Sequence, residues 1–568
     1  MNIERHARRR HVTPPKVVAM LAGALALAFG SAPGRAQPGP TTEVVRFPFP
    51  QDDGSLTPYS FERGYPLMTL VYDTLLWRDA DGVPRPWLAT PEFDPGGRQV
   101  TLRLARGVRW HDGTPLTASD VEFTFRYVAE HYHPRFTPAL RAVEQVTAAD
   151  DHTVVITLRH PSPGFADQPL ADLPILPAHV WASLAPEAIA PPGLPLGSGP
   201  YRLAEYRPGT AYRFEANPDY FRGPPAVTTL EVPVVTDAGD AIGALERGEV
   251  DMIPSSLPPV AATELRERLG PRVLDGPSYL GTELLFNVRR PPFDRSDVRR
   301  AVARALDLRR LAAAVGGAVA ADQGYLHPSS SWSPGRRLQV FDDAGARREI
   351  GRLGRGPVEV LAAGNDPVRR EAGRQVALAL QRVGLQAVVK FVPHEELATA
   401  VGEDGSEPSF QAAIWSIPPL VSHDPDFLRR LFGSQPLDAP LNFAGYRSEA
   451  FDALADRIGS TPDPIDRKAV VGEALRLLAT DVPAIPLFFP RGAYAYRPAR
   501  YDGWVFVKGA GILDKLSFVE PGRQGAAAPP GSAGETSGGP GTSLRTWAVA
   551  VLALAGVVGV VIVRRGRD

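Results

Sequence analysis

One short stretch, residues 106–125 (RGVRWHDGTPLTASDVEFTF), specifies a strand, a turn and a helix. Asp112-Gly113 is a tight-turn pair, because glycine adopts a positive φ without steric cost. Thr117 with Asp120 three residues later predicts a capping box at a helix start. Apolar residues then recur at helical spacing: Val121, Phe125 and Val128. The stretch therefore predicts a strand, a turn and a helix, and none of its residues forms an obvious catalytic group.

A second stretch, residues 358–392, alternates strand and helix patterns in the same way. Val358–Ala363 is an apolar strand pattern, and Asp366 with Pro367 is an N-cap followed by a first-turn proline. A helical stripe ends at Gly384, and Gln386–Val392 returns as a strand. A βαβ unit requires a parallel or mixed sheet covered by helices. The sequence therefore predicts an α/β fold.

Length and composition limit the possible classes of protein. A chain of 568 residues exceeds what one core usually supports, so two or three domains are expected. The net charge of −1 gives no reason to expect nucleic acid as a partner. Cysteine is absent, which excludes disulfides, thiolate metal ligands and lipid attachment through a cysteine.

The N-terminus has the layout of a secretory signal peptide, residues 1–36. A basic section is followed by an apolar run, Val17–Phe29, and by small residues up to Ala36, where cleavage is expected. The apolar run is short for a permanent membrane anchor. The sequence therefore predicts export.

The C-terminus predicts a tether to the membrane. Residues 521–543 are rich in Gly, Ala, Pro, Ser and Thr and are expected to form a disordered linker. Residues 544–564 contain an unbroken apolar run and are expected to form a transmembrane helix, followed by a short basic tail, residues 565–568. Basic residues flank the cytoplasmic end of a membrane helix. The preceding chain is therefore expected in the periplasm or on the outer face of the cytoplasmic membrane.

Several motifs, in chain order, carry a resemblance to a known family. In addition to residues 106–125, they are LGSGPYRL (196–203), NPDYFRG (217–223), ALERGEVD (244–251) and FNVRRPPFDRSDVRRA (286–301). Together they resemble the extracellular solute-binding proteins of family 5, which serve peptide and nickel ABC importers and form the three-domain class of such receptors. The resemblance runs from about residue 57 to about residue 490.

The resemblance implies a two-lobed fold of the periplasmic-binding-protein type with mixed sheets. One lobe is expected to contain a basal domain and an inserted domain, and the other lobe is residues 281–489. Chain crossings near residues 281–287 and 489–493 are expected to act as a hinge. The expected pieces of the first lobe are 42–70, 196–280 and 490–520 for the basal domain and 71–195 for the inserted domain.

The function implied is that of a monomeric, non-enzymatic receptor that binds a peptide or peptide-like solute and delivers it to the membrane subunits of an ABC permease. No cofactor is expected. The alternatives are a membrane-tethered sensor of a small solute and a receptor for nickel or a metal complex. An exported hydrolase is disfavoured, because the sequence lacks a Gly-x-Ser-x-Gly elbow and a His-Glu-x-x-His motif.

Aromatic residues are the candidate ligand contacts, because solute clefts are largely apolar with a few polar groups. Trp415 ends a strand pattern, Phe410–Trp415, where the resemblance implies ligand-facing groups. Peptide-binding relatives carry an aspartate shortly afterwards that pairs with the peptide ammonium, whereas Ser416–Pro419 contains no acid. Asp424 and Asp426 are interpreted as a structural turn. The full candidate set is Tyr59, Tyr65, Tyr279, Trp332, Trp415 and Tyr446.

Histidines do not form a convincing metal site. His131 and His133 are the only two with a spacing that suits a metal, and the others are scattered along the chain. No metal-binding residues are therefore predicted.

Overall fold

The computed structural model describes residues 42–61, 64–184, 193–269, 272–353 and 357–522. The expected signal peptide, transmembrane helix and cytoplasmic tail lie outside these residues, as does nearly all of the expected linker. Among the described residues, no helix is both long enough and apolar enough to cross a membrane.

The strands are mostly short and are spread along the whole described chain. They are β1 Thr42–Arg46, β2 Leu76–Arg78, β3 Pro84–Pro86, β4 Ala89–Phe93, β5 Gln99–Leu104, β6 Val143–Asp150, β7 Thr153–Leu158, β8 Tyr201–Arg207, β9 Ala211–Ala216, β10 Val227–Pro233, β11 Arg272–Pro277, β12 Gly281–Phe286, β13 Val319–Ala320, β14 Pro357–Ala363, β15 Gln386–Val392, β16 Ala412–Ile417, β17 Ala484–Phe489 and β18 Arg491–Tyr496.

Helices of varied length separate the strands. They are α1 Tyr65–Val71, α2 Ala118–Glu130, α3 Ala178–Trp181, α4 Ala238–Arg247, α5 Pro259–Leu269, α6 Ser296–Ala305, α7 Leu308–Ala314, α8 Asp343–Leu353, α9 Pro367–Arg382, α10 His394–Val401, α11 Leu420–His423, α12 Leu428–Phe432, α13 Glu449–Ser460, α14 Pro464–Asp481 and α15 Leu516–Val519. Short helical turns lie at Thr137–Leu140, Ala166–Leu170 and Pro425–Phe427.

In the described part of the chain, three larger sheets and two two-stranded sheets, β2-β3 and β11-β18, organise these elements. Sheet I has the strand order β1-β10-β9-β8, and sheet II has the order β4-β5-β7-β6. Sheet III has the order β13-β17-β12-β16-β14-β15 and combines parallel and antiparallel pairs. The fold is therefore mixed α/β, as the sequence predicts. The domain boundaries stay a prediction.

The central strands of sheet III, β12, β16 and β17, are buried on both faces, so the sheet separates two cores. On β12, Leu284 and Phe286 pack into one core, whereas Leu285 packs into the other. Successive side chains on a strand point to opposite faces, so both helical layers draw on the same strand. A charged residue on such a strand lies in an apolar environment.

Two local predictions are confirmed. The carboxylate of Asp120 accepts a hydrogen bond from the backbone N–H of Thr117 at 2.9 Å, which closes the capping box of α2. Asp366 caps α9 by accepting from the N–H groups of Val368 and Arg369. The strands on either side of α9, β14 and β15, pair in parallel, so the predicted βαβ unit is present.

Candidate ligand-binding site

Two chain segments connect the sheet III part, residues 281–489, to the rest, and they run side by side. Before the crossing β11 pairs with β18, and beyond it β12 pairs with β17. The chain therefore passes between the two parts at residues 278–280 and again at residue 490. We call the contact region between the two parts the junction. Hinges are a few element-terminal residues that absorb backbone rotation, and that role stays a prediction here.

Arg430, on α12, makes the principal polar contact across the junction. Its Nη1 donates to the backbone carbonyl of Arg135, and its Nη2 donates to the side-chain oxygen of Gln168. The side chain is buried, and this burial lowers the pKa of Arg430 to about 10. Arg141 adds a longer contact, with its Nη2 at 3.5 Å from Oδ1 of Asp426.

Carboxylates from both parts act on this arginine, because Asp172 on one side of the junction and Asp426 and Asp424 on the other oppose the lowering of its pKa. Asp424 pairs with Arg467 at 2.6 Å within the sheet III part. On the other side of the junction, burial raises the pKa of Asp167 to about 7; Arg78 opposes that shift, and Asp424 adds to it. The two sides of the junction are thus electrostatically coupled.

Asp424 also has a structural role, as expected from the sequence. Its side chain accepts from the backbone N–H of Asp426 at 3.2 Å and caps the helical turn Pro425–Phe427. The interpretation of these two acids as a structural turn is confirmed. The space enclosed around Gly164, Asp424 and Arg430 is about 20 Å³, which is room for about one water molecule.

Tyr279 lies at the first chain crossing, within a cluster of rings. Its ring centre is 5.1 Å from that of His327 and 5.0 Å from that of His423. Burial lowers the pKa of His327 to about 4 and that of His423 to about 3, so both imidazoles are neutral near pH 7. Trp332 joins the cluster, because its indole N–H donates to the carbonyl of His423 at 3.1 Å. Two of the predicted site residues therefore meet at the junction.

The placement of Trp415 shows that one expectation was wrong, namely that a strand ends at this residue. The strand does not end there: β16 continues to Ile417, because Ser416 and Ile417 pair with Thr282 and Gly281 of β12. Trp415 is 6% exposed and lies in the core of the sheet III part. Its indole stacks on His394, with ring centres 6.0 Å apart.

Tyr446 shares that core with Trp415 but uses its hydroxyl internally, as a donor to the carboxylate of Asp481. Its ring meets Phe432 and Phe451 edge-on, with ring centres 6.4 and 6.1 Å away. These contacts of Tyr446 all lie within the sheet III part.

Tyr59 and Tyr65 lie on the other side of the junction. The hydroxyl of Tyr59 donates to the carbonyl of His131 at 2.8 Å, and its ring packs against Trp181. The hydroxyl of Tyr65 donates to the carbonyl of Asp172 at 2.8 Å, and the Arg135 guanidinium lies 3.8 Å from the ring centre. Since Arg135 also contacts Arg430, Tyr65 is close to the junction.

One polar residue was missed by sequence reasoning. Glu283, on β12, is 5% exposed and stands directly opposite Trp415 on β16. The signal available in the sequence was a lone carboxylate in the otherwise uncharged strand Gly281–Phe286. Such a signal does not say which residue lies opposite.

The two histidines whose spacing suits a metal site, His131 and His133, stack on different aromatic rings. His131 stacks on Tyr127 with ring centres 4.0 Å apart, whereas His133 stacks on Phe136 at 4.6 Å. Over the described ranges, no group of three or more His, Cys, Asp or Glu residues could hold a metal ion.

Comparison with known proteins places the chain in a family. The sequence profile of the bacterial extracellular solute-binding proteins, family 5, matches residues 83–438. Protein XP55 of Streptomyces lividans is 29% identical over 434 residues, which cover 72% of this chain and 77% of that protein. The oligopeptide-binding protein AppA of Bacillus subtilis is 22% identical over 439 residues, which cover 72% of this chain and 79% of AppA.

Solved structures share the fold. AppA of Bacillus subtilis in complex with a nonapeptide superposes with a TM-score of 0.73 at 20% identity, covering 85% of this chain and 99% of AppA. NikZ of Campylobacter jejuni in complex with Ni(L-His) gives a TM-score of 0.72 at 20% identity, covering 84% of this chain and 98% of NikZ. The matched profile extends over more than half of the sequence, and the chain belongs to the bacterial extracellular solute-binding proteins, family 5.

Proposed function

We propose that this protein is the extracytoplasmic receptor of an ABC importer, and that it binds a peptide or peptide-like solute between two lobes and delivers it to the permease. Sheets I and II form one lobe and sheet III the other, with the domain boundaries expected from the sequence. Family membership supports the receptor class, and the similarity to the oligopeptide-binding AppA supports a peptide solute. The receptor binds its solute without converting it.

The pair of chain crossings is the observation that carries this proposal. Residues 278–280 and residue 490 lie next to each other, because the strands on both sides of each crossing are paired. Rotation about two adjacent crossings can open and close a cleft without breaking either sheet. Solute that contacts both lobes then shifts the population toward the closed arrangement.

Contacts at the junction supply the closing interactions. The hydrogen bonds of Arg430 to Arg135 and Gln168 join the lobes, and the contact of Arg141 with Asp426 adds to them. Each of these contacts breaks when the lobes separate. Tyr65, Tyr279 and Trp332 contact groups at the junction, and we propose that they are the solute contacts nearest to the junction. The remaining proposed solute contacts lie farther from it, with Tyr59 on one side and Trp415 and Tyr446 in the sheet III part.

Closure can be measured directly because the chain has no native cysteine. Cysteines introduced at Arg103 on β5 and Val388 on β15, both exposed strand positions, allow a donor and an acceptor dye to be attached. Single-molecule measurements then give the efficiency of energy transfer between the two dyes on the full chain. We expect a library of short peptides to narrow the distribution of this efficiency and to shift its mean. A control pair within the sheet III part, at the exposed positions Val388 on β15 and Arg476 on α14, should not respond. An unchanged distribution for the Arg103–Val388 pair at saturating peptide would refute ligand-driven closure.

The proposed location depends on the two termini. We propose that residues 1–36 direct export and that residues 544–564 hold the receptor at the outer face of the membrane. The basic tail, residues 565–568, supports this orientation by the positive-inside rule.

A further inference from the structure

A cavity of about 350 Å³ lies inside the sheet III part. Helix α6 and the last turns of α14 form two of its walls, and β17 with residues 321–325 and 338–340 forms the others. The sheet III part alone therefore builds this cavity, whereas the proposed solute cleft lies between the two parts. The volume is within the range of small-molecule sites.

The walls of the cavity are largely apolar. Leu475 and Leu478 reach it from one core of the sheet III part, and Ile485 reaches it from the other. Val340 also lines the cavity and is 70% exposed, so the apolar wall extends to the protein surface. An apolar wall in contact with water is stabilised when an apolar group covers it.

Arg300 gives the cavity a positive charge. It lies on α6 one turn before Arg304, so the two side chains share one side of the helix. Arg304 pairs with Glu349 at 2.9 Å. Among the described residues, Arg300 donates a side-chain hydrogen bond only to Oγ of Ser296, at 3.1 Å, and pairs with no carboxylate. Its guanidinium therefore has donors left for an acidic ligand.

Tyr325 adds a second polar group to the wall. The residue is buried, and its hydroxyl has no hydrogen-bond partner in the part of the chain that the structure describes. A buried hydroxyl without a partner is costly, and a ligand in the cavity can supply that partner. Arg300 and Tyr325 can both donate, which matches a ligand that carries acceptor oxygens.

We propose that this cavity is a second binding site, which takes a small carboxylate with an apolar body. The carboxylate pairs with Arg300, and the apolar body covers Leu338, Leu475 and Leu478. A guanidinium matches a carboxylate in charge and in planar geometry, whereas a neutral or cationic ligand leaves Arg300 without a counter-charge. The site goes beyond the proposed function, because it lies outside the cleft between the lobes and can be filled while a peptide is bound.

The full chain in lipid nanodiscs tests the proposal by calorimetric titration, with empty nanodiscs as the blank. The probes are straight-chain and phenyl-substituted monocarboxylates of roughly four to nine carbon atoms, each with the alcohol of the same skeleton. We expect saturable one-site binding of a carboxylate, with its matched alcohol at least about tenfold weaker. The absence of saturable binding for every carboxylate, or equal binding of acids and alcohols, would overturn the proposal.

Two substitutions then assign the binding to this cavity. We expect Arg300→Gln to lower the affinity for the best carboxylate at least about tenfold and to leave its alcohol unchanged. Arg310→Gln, which removes a charge at an exposed position of α7, is the matched control and should change neither. Ala479→Trp, at an exposed position of α14 that lines the cavity, keeps the charge but fills the space, so it should weaken acid and alcohol alike. Wild-type affinity for the carboxylate in either cavity variant would show that it binds elsewhere.

Competition with peptides separates this site from the solute cleft. We expect a library of short peptides to bind equally well with and without saturating carboxylate, and Arg300→Gln to bind that library like the wild-type chain. Displacement of the carboxylate by peptides would place it in the solute cleft and overturn the second site. If the library does not bind at all while the carboxylate does, the proposed function fails and the second site stands.

Discussion

Lys515 and Asp73 form an ion pair in which neither side chain is exposed. The Lys515 Nζ lies 2.8 Å from the Asp73 carboxylate and 4.2 Å from the ring centre of Trp77. Burial lowers the pKa of Lys515, and Asp73 opposes that shift. Asp73 precedes β2 and Lys515 directly precedes α15, so the pair joins two segments that are 442 residues apart in the sequence.

Removing one partner of this pair should be strongly destabilising. We expect Lys515→Met to lower the free energy of unfolding by about 3–5 kcal/mol, because it leaves the buried Asp73 charge without its cation. Chemical denaturation of the folded chain measures the loss. Lys390→Met, at the exposed pair with Glu396, is the control and should have little effect. If Lys515→Met unfolds at the same denaturant concentration as the wild-type chain, the ion pair does not stabilise the fold.

Glu283 should make stability depend on pH. Its folded-state pKa of about 8 lies above the ordinary value of 4.5, so the folded chain holds one more proton than the unfolded chain between these values. The contribution of Glu283 to the free energy of unfolding is therefore fully present below about pH 4.5 and is lost as the pH rises through 8. We expect the stability of Glu283→Gln relative to wild type to rise by about 4 kcal/mol between roughly pH 5 and pH 9.

Thermal melts of both proteins across that pH range check this expectation. The difference in melting temperature should grow with pH and level off above the folded pKa. Glu359→Gln, at an exposed position of β14, is the control, and its difference from wild type should stay constant. A pH-independent difference for Glu283→Gln would mean that the carboxyl is already ionised in the folded chain.

At the scale of the elements, the loop that carries Gly164 lies against Asp424 of the sheet III part. A side chain at Gly164 would overlap the Asp424 carboxylate across the junction. We expect Gly164→Ala to weaken peptide binding roughly tenfold, a loss of about 1.4 kcal/mol, because the overlap exists only when the lobes are closed. Calorimetric titration measures the affinity.

The melting temperature of the same variant separates closure from folding. It should change little, since the open arrangement accommodates the added methyl group. Gly351→Ala on α8 is the control, because no atom lies within 4 Å of its added Cβ, and its affinity should match wild type. An unchanged affinity for Gly164→Ala would show that this part of the junction stays apart in the complex.

Elements with strong local signals were predicted well from the sequence. The capping box of α2 and the N-cap of α9 depend on residues two or three positions apart, so their geometry is contained in the sequence itself. Strand ends were less predictable. β16 extends past Trp415 because Thr282 and Gly281, distant in sequence, supply its hydrogen-bond partners.

At the level of the whole molecule, the proposed attachment to the membrane runs through residues 544–564. We expect a chain that stops before Thr542 to move from the membrane pellet to the soluble fraction, because it lacks residues 544–564. Fractionation followed by immunodetection measures this, with the full chain as the control. If the truncated chain remains in the pellet, the N-terminal run Val17–Phe29 is the anchor.

The family and the α/β class could be read from the sequence, because turns, caps and apolar periodicity are short-range properties that persist in any surrounding. The contacts at the junction could not be predicted from the sequence. Arg430, Gln168 and Asp424 meet only because the fold brings distant segments together. The same holds for Glu283: its charge was visible in the sequence, but its isolation depends on strand register and burial. Register and burial arise from long-range pairing, and only the folded chain determines them.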